Sequence, residues 1–464
     1  MAAQPLPAPR GMRTFYTVWL GQLVSILGSS TTSFAIGIWL FTETGSVTAV
    51  ALVNVFYLVA AAAASVVAGA VVDRHDRRTV IILADTVQAL ATLTIGLLLL
   101  LGWFEVWAIY VAVAISSAAQ AFQGPAWGAS IPMIVPKEQL GRAAGLGRLN
   151  QAVGRLAAPA LAGALLLTIG IGGIILVDFA TFLFAITVLF FVRIPNPPPS
   201  ADTLAEKRSV LRDIRFGWRY LLNRQGLLTF IIIVSLLNLF LNFATTLTVP
   251  MALLIANEAT VGVMMSIESS GMLVGTLVMS AWGGPKRRRV WLVLAMIMVQ
   301  GASLFIIAAR PSIVLMTVGG FLMMLCFALI GTNMGPVFQT KVALDVQGRV
   351  FATSAFLSII LEPMGQVVVG PLTDRVFEPL MARGGALAPV LGPLIGVGPG
   401  RGMAVVFFLM GACIVGLGLY GFLNPRVRLL EEELPDVLPG EAEVERDGGQ
   451  VAGSGMTPAV EFPE

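Results

Sequence analysis

SVTAVALVNVFYLVAAAAASVVAGAVVDRHDRRTVIILADTVQALATLTIGLLLLLG, residues 46–102, decides the class of this protein. Two apolar runs, 46–71 and 79–102, flank a charged cluster, Asp73-Arg74-His75-Asp76-Arg77-Arg78. About 20 residues rising about 1.5 Å each cross a hydrocarbon core of roughly 30 Å, so each run is long enough to span a bilayer. The same pattern fills the chain. Further runs lie near 15–41, 106–131, 142–168, 170–192, 227–255, 259–282, 289–309, 312–336, 349–374 and 402–423, which makes twelve. Of 464 residues, 57% are hydrophobic and 12% charged. A soluble domain carries roughly 25% charged residues, so much of this surface must face lipid. The reading is an all-α membrane protein of twelve transmembrane helices in two six-helix bundles. Gly170, Gly172 and Gly173 are all that separates the fifth run from the sixth. The first run is too long for the apolar region of a signal peptide. Cys326 and Cys413 fall inside apolar runs, which predicts free, buried thiols and no disulfide framework.

The distribution of Lys and Arg sets the orientation. Arg10, Arg13, Arg74, Arg77, Arg78, Lys137, Arg142, Arg148, the basic stretch Arg193 to Arg224, Lys286 to Arg289, Lys341, Arg349, Arg426 and Arg428 share one side. The other side holds Arg310, Arg375, Arg383 and Arg401. Both termini are therefore expected in the cytoplasm, in a bacterial-type inner membrane. The expected organisation is a cytoplasmic segment 1–12, a six-helix bundle 13–192, a cytoplasmic linker 193–226, a second bundle 227–424 and an acidic, disordered tail 425–464. The linker opens on Pro195, Pro197, Pro198 and Pro199, which cannot continue a helix. It then turns amphipathic, with Val210, Leu211, Ile214, Trp218, Leu221 and Leu222 on one face and Arg212, Arg215 and Arg219 on the rest. That pattern fits either a helix lying on the membrane surface or a plain tether.

The halves echo one another. Gly141, Arg142 and Gly163 have counterparts Gly348, Arg349 and Gly370 at a constant offset of 207. Gly124-Pro125 and Gly335-Pro336 close the fourth and tenth runs alike. Two parallel repeats about an axis along the membrane normal would give this arrangement.

Three motifs resemble those of the major facilitator superfamily. Gly69, Asp73, Arg74, Arg77 and Arg78 follow the loop signature G-x-x-x-D-R-x-x-R-[RK], with a weaker echo at Gly283 to Arg289. Gly145, Gly154, Ala158-Pro159 and Ala162-Gly163 follow the antiporter motif of the fifth helix, with alanine at two glycine positions. Gln120-Ala-Phe-Gln123-Gly124 is similar to the fourth-helix pattern R-x-x-Q-G, with Gln120 in place of arginine, which puts that motif's proton-coupling scheme in doubt. Phe122 to Ala126, Pro132, Pro136 and Gly21-Gln22 to Gly28 most resemble the macrolide-efflux and enterobactin-exporter branch. The resemblance covers residues 13–424. It implies a cytoplasmic latch between halves at Asp73 and its arginines, and a fifth helix packed on the eighth.

Ionisable groups inside a membrane are functional candidates by default. Arg155, Asp178, Glu268 and Glu362 each lie 13 or 14 residues from the cytoplasmic end of a run, about 20 Å deep. If the fifth and eighth helices touch, Arg155 and Glu268 should form a breakable ion pair. Glu362, with Tyr57 and Asn54 as possible partners, is then the better proton carrier, because a neighbouring arginine would oppose protonation of Glu268. Asp178 would be structural or a minor participant. Permanently satisfied packing is the competing reading for both glutamates. Gln22, Ser25, Trp39, Gln120, Asn238, Asn242 and Asn333 are candidate cavity residues, with Trp127 and Gln151 behind them. No phosphate-binding G-x-x-x-x-G-K-[ST] and no ligand cluster around the single His75 occur, so no cofactor or metal is expected. The expected function is proton-coupled export of a small amphipathic compound by alternating access, not enzymatic catalysis. Its partners would be that solute, protons and the bilayer, with no nucleic acid, and the protein would be a monomer. A metabolite uniporter or importer, a lipid flippase and a non-transporting scaffold are the alternatives.

Overall fold

The structure, a computed structural model, describes residues 12–103, 105–136, 139–192, 218–219, 221–222, 224–285, 288–341 and 363–433. The membrane-crossing elements are numbered here by span. They are α1 (Met12–Thr44), α2 (Val47–Arg74), α3 (Arg77–Leu100), α4 (Val106–Ile134) and the continuous helix Leu140–Phe191, which Gly170 divides into α5 (140–169) and α6 (171–191). The second half holds α7 (Gln225–Leu253), α8 (Glu258–Trp282), α9 (Arg289–Ala309), α10 (Ile313–Lys341), α11 (described over 363–381) and α12 (Arg401–Leu423). Ten of these helices, the undivided pair counted once, are long and apolar enough to cross a membrane among the described residues.

Local chemistry explains where the helices start and stop. Ser46 accepts from the Ala49 amide, Asp76 from Thr79 at 2.7 Å, and Asn257 from Thr260 at 2.9 Å, so α2, α3 and α8 each open on a side-chain cap. Gly170 has φ 65° and ψ −178°, outside the helical basin, and the chain reverses there. α5 and α6 consequently run antiparallel along α1. Trp19, early in α1, donates to the Leu146 carbonyl at 2.9 Å and Gly21 faces Val188, while Ala35, late in α1, packs with Ala162 and Ile174.

The second half has one contiguous apolar core, with Phe230, Leu247, Ile297, Met316 and Phe407 fully buried. The first half has separate clusters, one around Phe15, Ile81 and Leu189 and another around Leu40, Ile95 and Ile109. Val66, Leu100, Phe191 and Leu423 point outward with most of their surface free, as a lipid-facing wall requires. Cys326 is buried as expected, but Cys413 is exposed on the outer surface of α12, because an apolar run has an outer face as well as an inner one. The amphipathic linker stretch, apart from a few positions, and the tail from residue 434 lie outside the described residues. Residues 425–433, expected to be disordered, instead form the short helices Pro425–Arg428 and Leu430–Glu433, held by buried Val427 and Leu430 and by Glu431 accepting from the Arg289 amide.

Candidate functional site

α1 carries Gln22, Ser25, Ser29 and Ser33 at spacings of three and four, which places them on one helical face. That polar stripe lines a cavity of about 680 Å³ between the halves. Asn54 and Tyr57 of α2, Gln88 of α3, Gln120 and Gln123 of α4, and Arg155 of α5 add polar groups from the first half, interleaved with Phe34, Ile36, Val53, Val113 and Phe182. The second half contributes Met265 and Ser269 of α8 and Met324 of α10. The first-half wall therefore mixes amides and hydroxyls with apolar side chains, and the described second-half contribution is two thioethers and one hydroxyl.

Behind the polar wall sits Asp85, fully buried. Gln123 donates to its Oδ1 at 2.6 Å and Gln22 to its Oδ2 at 3.3 Å. Gln123 also donates to Gln22 Oε1 at 3.1 Å, and Gln88 donates to Gln123 Oε1 at 3.2 Å. Each amide thus holds the next in one orientation, and two of them converge on the carboxylate. Gln123→Leu leaves Asp85 with a single donor. The expected cost is about 1–3 kcal/mol, read as a lower melting midpoint of the purified protein. An unchanged midpoint would mean that the amide does not hold the carboxylate.

Of the residues expected in the cavity, the structure brings Gln22, Ser25 and Gln120 together there, and Gln120 accepts from the Tyr57 hydroxyl at 2.7 Å. Asn333 is elsewhere: it is buried within the second half, donating to the Leu329 carbonyl at 2.7 Å and to Met279 Sδ. Asn242 donates to the Asn238 carbonyl one turn back along α7, and Trp39 packs in the Leu40 cluster. None of these four lines the cavity.

The three described intramembrane charges of the expected set occupy distinct settings. Asp178 is buried against α1, accepting from Ser29 Oγ at 3.1 Å. Arg155 reaches from the cavity wall to Met272 Sδ at 3.9 Å. Glu268 is buried, and its Oε1 has no hydrogen-bond partner. The expected Arg155–Glu268 ion pair is not made. Glu268 shares a stripe of α8 with Gly271 and Gly275, and this stripe packs into α10 at Gly320, Phe321 and Leu325. Arg155 meets the adjacent face, at Met265, Ser269 and Met272. Glu362 lies outside the described residues.

Motif positions do several jobs. Gly163 packs so closely on the start of α8 that an added methyl would strike the Glu258 carbonyl, and Gly262 meets the Pro159 carbonyl in return. Gly154 faces Ser30 and Ile26 of α1 instead, and Gly145 has no close neighbour. Gly69 likewise has none. Arg77 donates to the Ala129 carbonyl at 2.6 Å, and Arg78 to the Leu189 and Phe190 carbonyls at 2.8 Å each. These bonds tie α3 to the ends of α4 and α6. Arg74 is exposed, and the Asp73 side chain lies outside the described residues.

Among the described residues, the halves meet closely at the end of the bundle away from the termini. Gly370 of α11 packs on Thr48 of α2, repeating the Gly163–Glu258 contact with the halves exchanged. One turn on, Asp374 caps the start of α2. Its Oδ2 accepts from Ser46 Oγ (2.9 Å), the Thr48 amide (2.9 Å) and Thr48 Oγ1 (2.7 Å), and its Oδ1 accepts from the Val47 amide (3.3 Å). The residue 207 positions earlier is the exposed Leu167, so the carboxylate clasp is made on one flank only.

A model of one protein family matches residues 18–358, and its description is the Major Facilitator Superfamily. The chain belongs to that superfamily. This superfamily member is 28% identical over 375 residues to Macrolide efflux protein A of Streptococcus pyogenes, covering 78% of this chain and 90% of the relative. It is 28% identical over 337 residues to Multidrug efflux pump Tap of Mycolicibacterium fortuitum, covering 67% and 77%. Its fold is that of solved transporters. The nucleoside transporter NupG superposes with a TM-score of 0.62 at 14% identity, covering 88% of this chain and 98% of that one. A bacterial homolog of the human lysosomal transporter Spinster, solved inward-facing and unoccupied, gives 0.64 at 14% identity, with 90% and 98% covered. At such identity these structures speak to fold alone. The facilitator is thus a multi-pass membrane transporter with efflux proteins among its relatives.

Asp85 is the functional candidate that sequence reading missed. It lies eight residues past Arg77, about 12 Å deep, and so falls short of the common level of the other charges. A lone carboxylate in the run Ile81-Ile82-Leu83-Ala84-Asp85 was the available signal.

Proposed function

We propose that this protein is a proton-driven exporter of small amphipathic molecules, macrolide-like in character, working by alternating access. The cavity carries this reading. An amphipathic solute needs groups that exchange hydrogen bonds and surface that offers dispersion contact, and the cavity supplies both, with Gln22, Ser25, Ser29 and Gln120 among Ile26, Phe34, Val113, Phe182, Met265 and Met324. The efflux relatives support the direction and the substrate class. The Lys and Arg excess assigns the terminal side to the cytoplasm. The clasp at Asp374 then closes the outer end, and the cavity loads from inside. The protein acts as a monomer, since each half supplies one wall.

Glu268 is the proposed proton carrier. A carboxylate ionised in that site would lack a donor at Oε1, at a cost of several kcal/mol. Ser269 and Met265 beside it reach the cavity, so a small rotation of α8 past α10 would carry the group to water or to Arg155. Without the arginine tether, the reason to prefer Glu362 falls away, and Glu362 stands as the second candidate.

The test is transport by purified protein in proteoliposomes, with a labelled macrolide and an imposed pH gradient. Substrate should accumulate against its own gradient in the acidic compartment, and a protonophore should abolish that accumulation. Counterflow that ignores the gradient would replace this reading with a uniporter. Movement of labelled phospholipid instead of macrolide would replace it with a flippase.

A further inference from the structure

The three buried carboxylates among the described residues differ in what surrounds them. Asp85 faces amide N–H donors, which solvate an anion. Glu268 has an unpartnered oxygen in a tight apolar seat. Asp178 alone faces hydroxyls, which can turn either a proton or a lone pair toward the site. It borders a chamber of about 100 Å³, with Ser29, Thr32 and Ser33 among the lining residues, beside the main cavity. Ser29 Oγ lies 3.1 Å and Thr181 Oγ1 3.4 Å from Asp178 Oδ1. Thr181 spends its proton on the Asp178 carbonyl at 2.7 Å, which leaves its lone pairs free. The Thr32 hydroxyl is buried, within reach of the same carboxylate but without a well-formed hydrogen bond to it. Gly28 lets α1 approach: a methyl there would collide with Thr181 Oγ1 and crowd Asp178 Oδ1.

We propose that this chamber binds a sodium ion, held by Asp178 and the hydroxyls of Ser29, Thr32 and Thr181. Hard cations take carboxylate and hydroxyl oxygens, and oxygens at right angles around a cation at about 2.4 Å lie about 3.4 Å apart. The spacing around Oδ1 matches that radius. Potassium, with longer bonds, would spread the oxygens further. One carboxylate balances one positive charge, which disfavours a divalent ion. The ion would add a second cation gradient to the exporter proposed above, and the site extends that reading. Its binding is scored without transport, so either idea can fail alone.

The test is calorimetric titration of the purified full chain in detergent with sodium chloride, against potassium and choline chloride at equal ionic strength. Saturable binding specific to sodium is expected. Thr32→Val, which keeps shape and removes one ligand, should weaken it about tenfold, and Asp178→Asn should abolish it. Elution as a single monodisperse peak checks folding; if Asp178→Asn fails that check, Thr32→Val decides. No saturable sodium signal would overturn the proposal and leave a water-filled polar chamber. Sodium binding of unchanged affinity in Thr32→Val would overturn it as well, by placing the ion elsewhere.

Discussion

In proteoliposomes with an imposed pH gradient, Glu268→Gln is expected to reduce macrolide accumulation to the level of protein-free vesicles. Counterflow of labelled against unlabelled substrate should persist. Glutamine has the shape of a neutral glutamic acid and fits the seat against Gly320, where little else would. It cannot release a proton. A carrier so altered can still rock between states with substrate aboard, but it has lost the ion that makes the cycle directional. The split between the two assays matters, because a merely structural Glu268 would lose both or neither. Accumulation at the parental level in the variant would remove Glu268 from the mechanism and move the coupling to Glu362.

Asp374→Ala is expected to open the end of the bundle that the structure shows closed. The carboxylate takes two amides at the head of α2 and two hydroxyls, across the boundary between halves. Anions at helix N-termini and charge-assisted hydrogen bonds each contribute about a kcal/mol or more when partly buried. Asp374 is only partly buried, so solvent screening reduces the sum. A net loss of about 1–2 kcal/mol is expected, a shift of roughly five- to thirtyfold in the balance between the two states. Spin labels on α2 and α11 near this end would read it as a longer-distance population that grows in the variant. Asp374→Asn should fall between, since an amide oxygen accepts but carries no charge. Distance distributions identical to the parent would show that the Gly370–Thr48 packing alone sets the closure.

Helix positions were legible because hydrocarbon demands unbroken apolar length. Apart from α11, which continues past its run to Met381, the described spans begin and end within about five residues of the apolar runs, and α9 at Arg289–Ala309 coincides with its run. Gly170 was legible as a boundary, since only glycine readily takes positive φ. The contact of α5 with α8 followed from the motif at Pro159 and Gly163. The Arg155–Glu268 pair did not survive, and the reason is geometric. Counting residues from a helix end gives depth but not azimuth. Azimuth was also written in the chain: Glu268, Gly271 and Gly275 recur at three and four, a stripe of small residues that marks a packed face, while Met265, Ser269 and Met272 form the neighbouring stripe. Asp85 escaped because depth was used as a filter. The clasp at Asp374 was not legible at all, since its partners Ser46, Val47 and Thr48 lie more than 300 positions away in the chain and share no pattern with it.

Because α5 turns into α6 at the single residue Gly170, the nascent chain gives the insertion machinery no hydrophilic tether to thread between these spans. The 52 residues from Leu140 to Phe191 enter the bilayer as one closed hairpin. Arg142 near one foot and Arg193 beyond the other hold both feet on the same side. Lengthening the turn with charged residues would therefore be felt first during biosynthesis, as protein degraded before assembly, and only afterwards as lost transport.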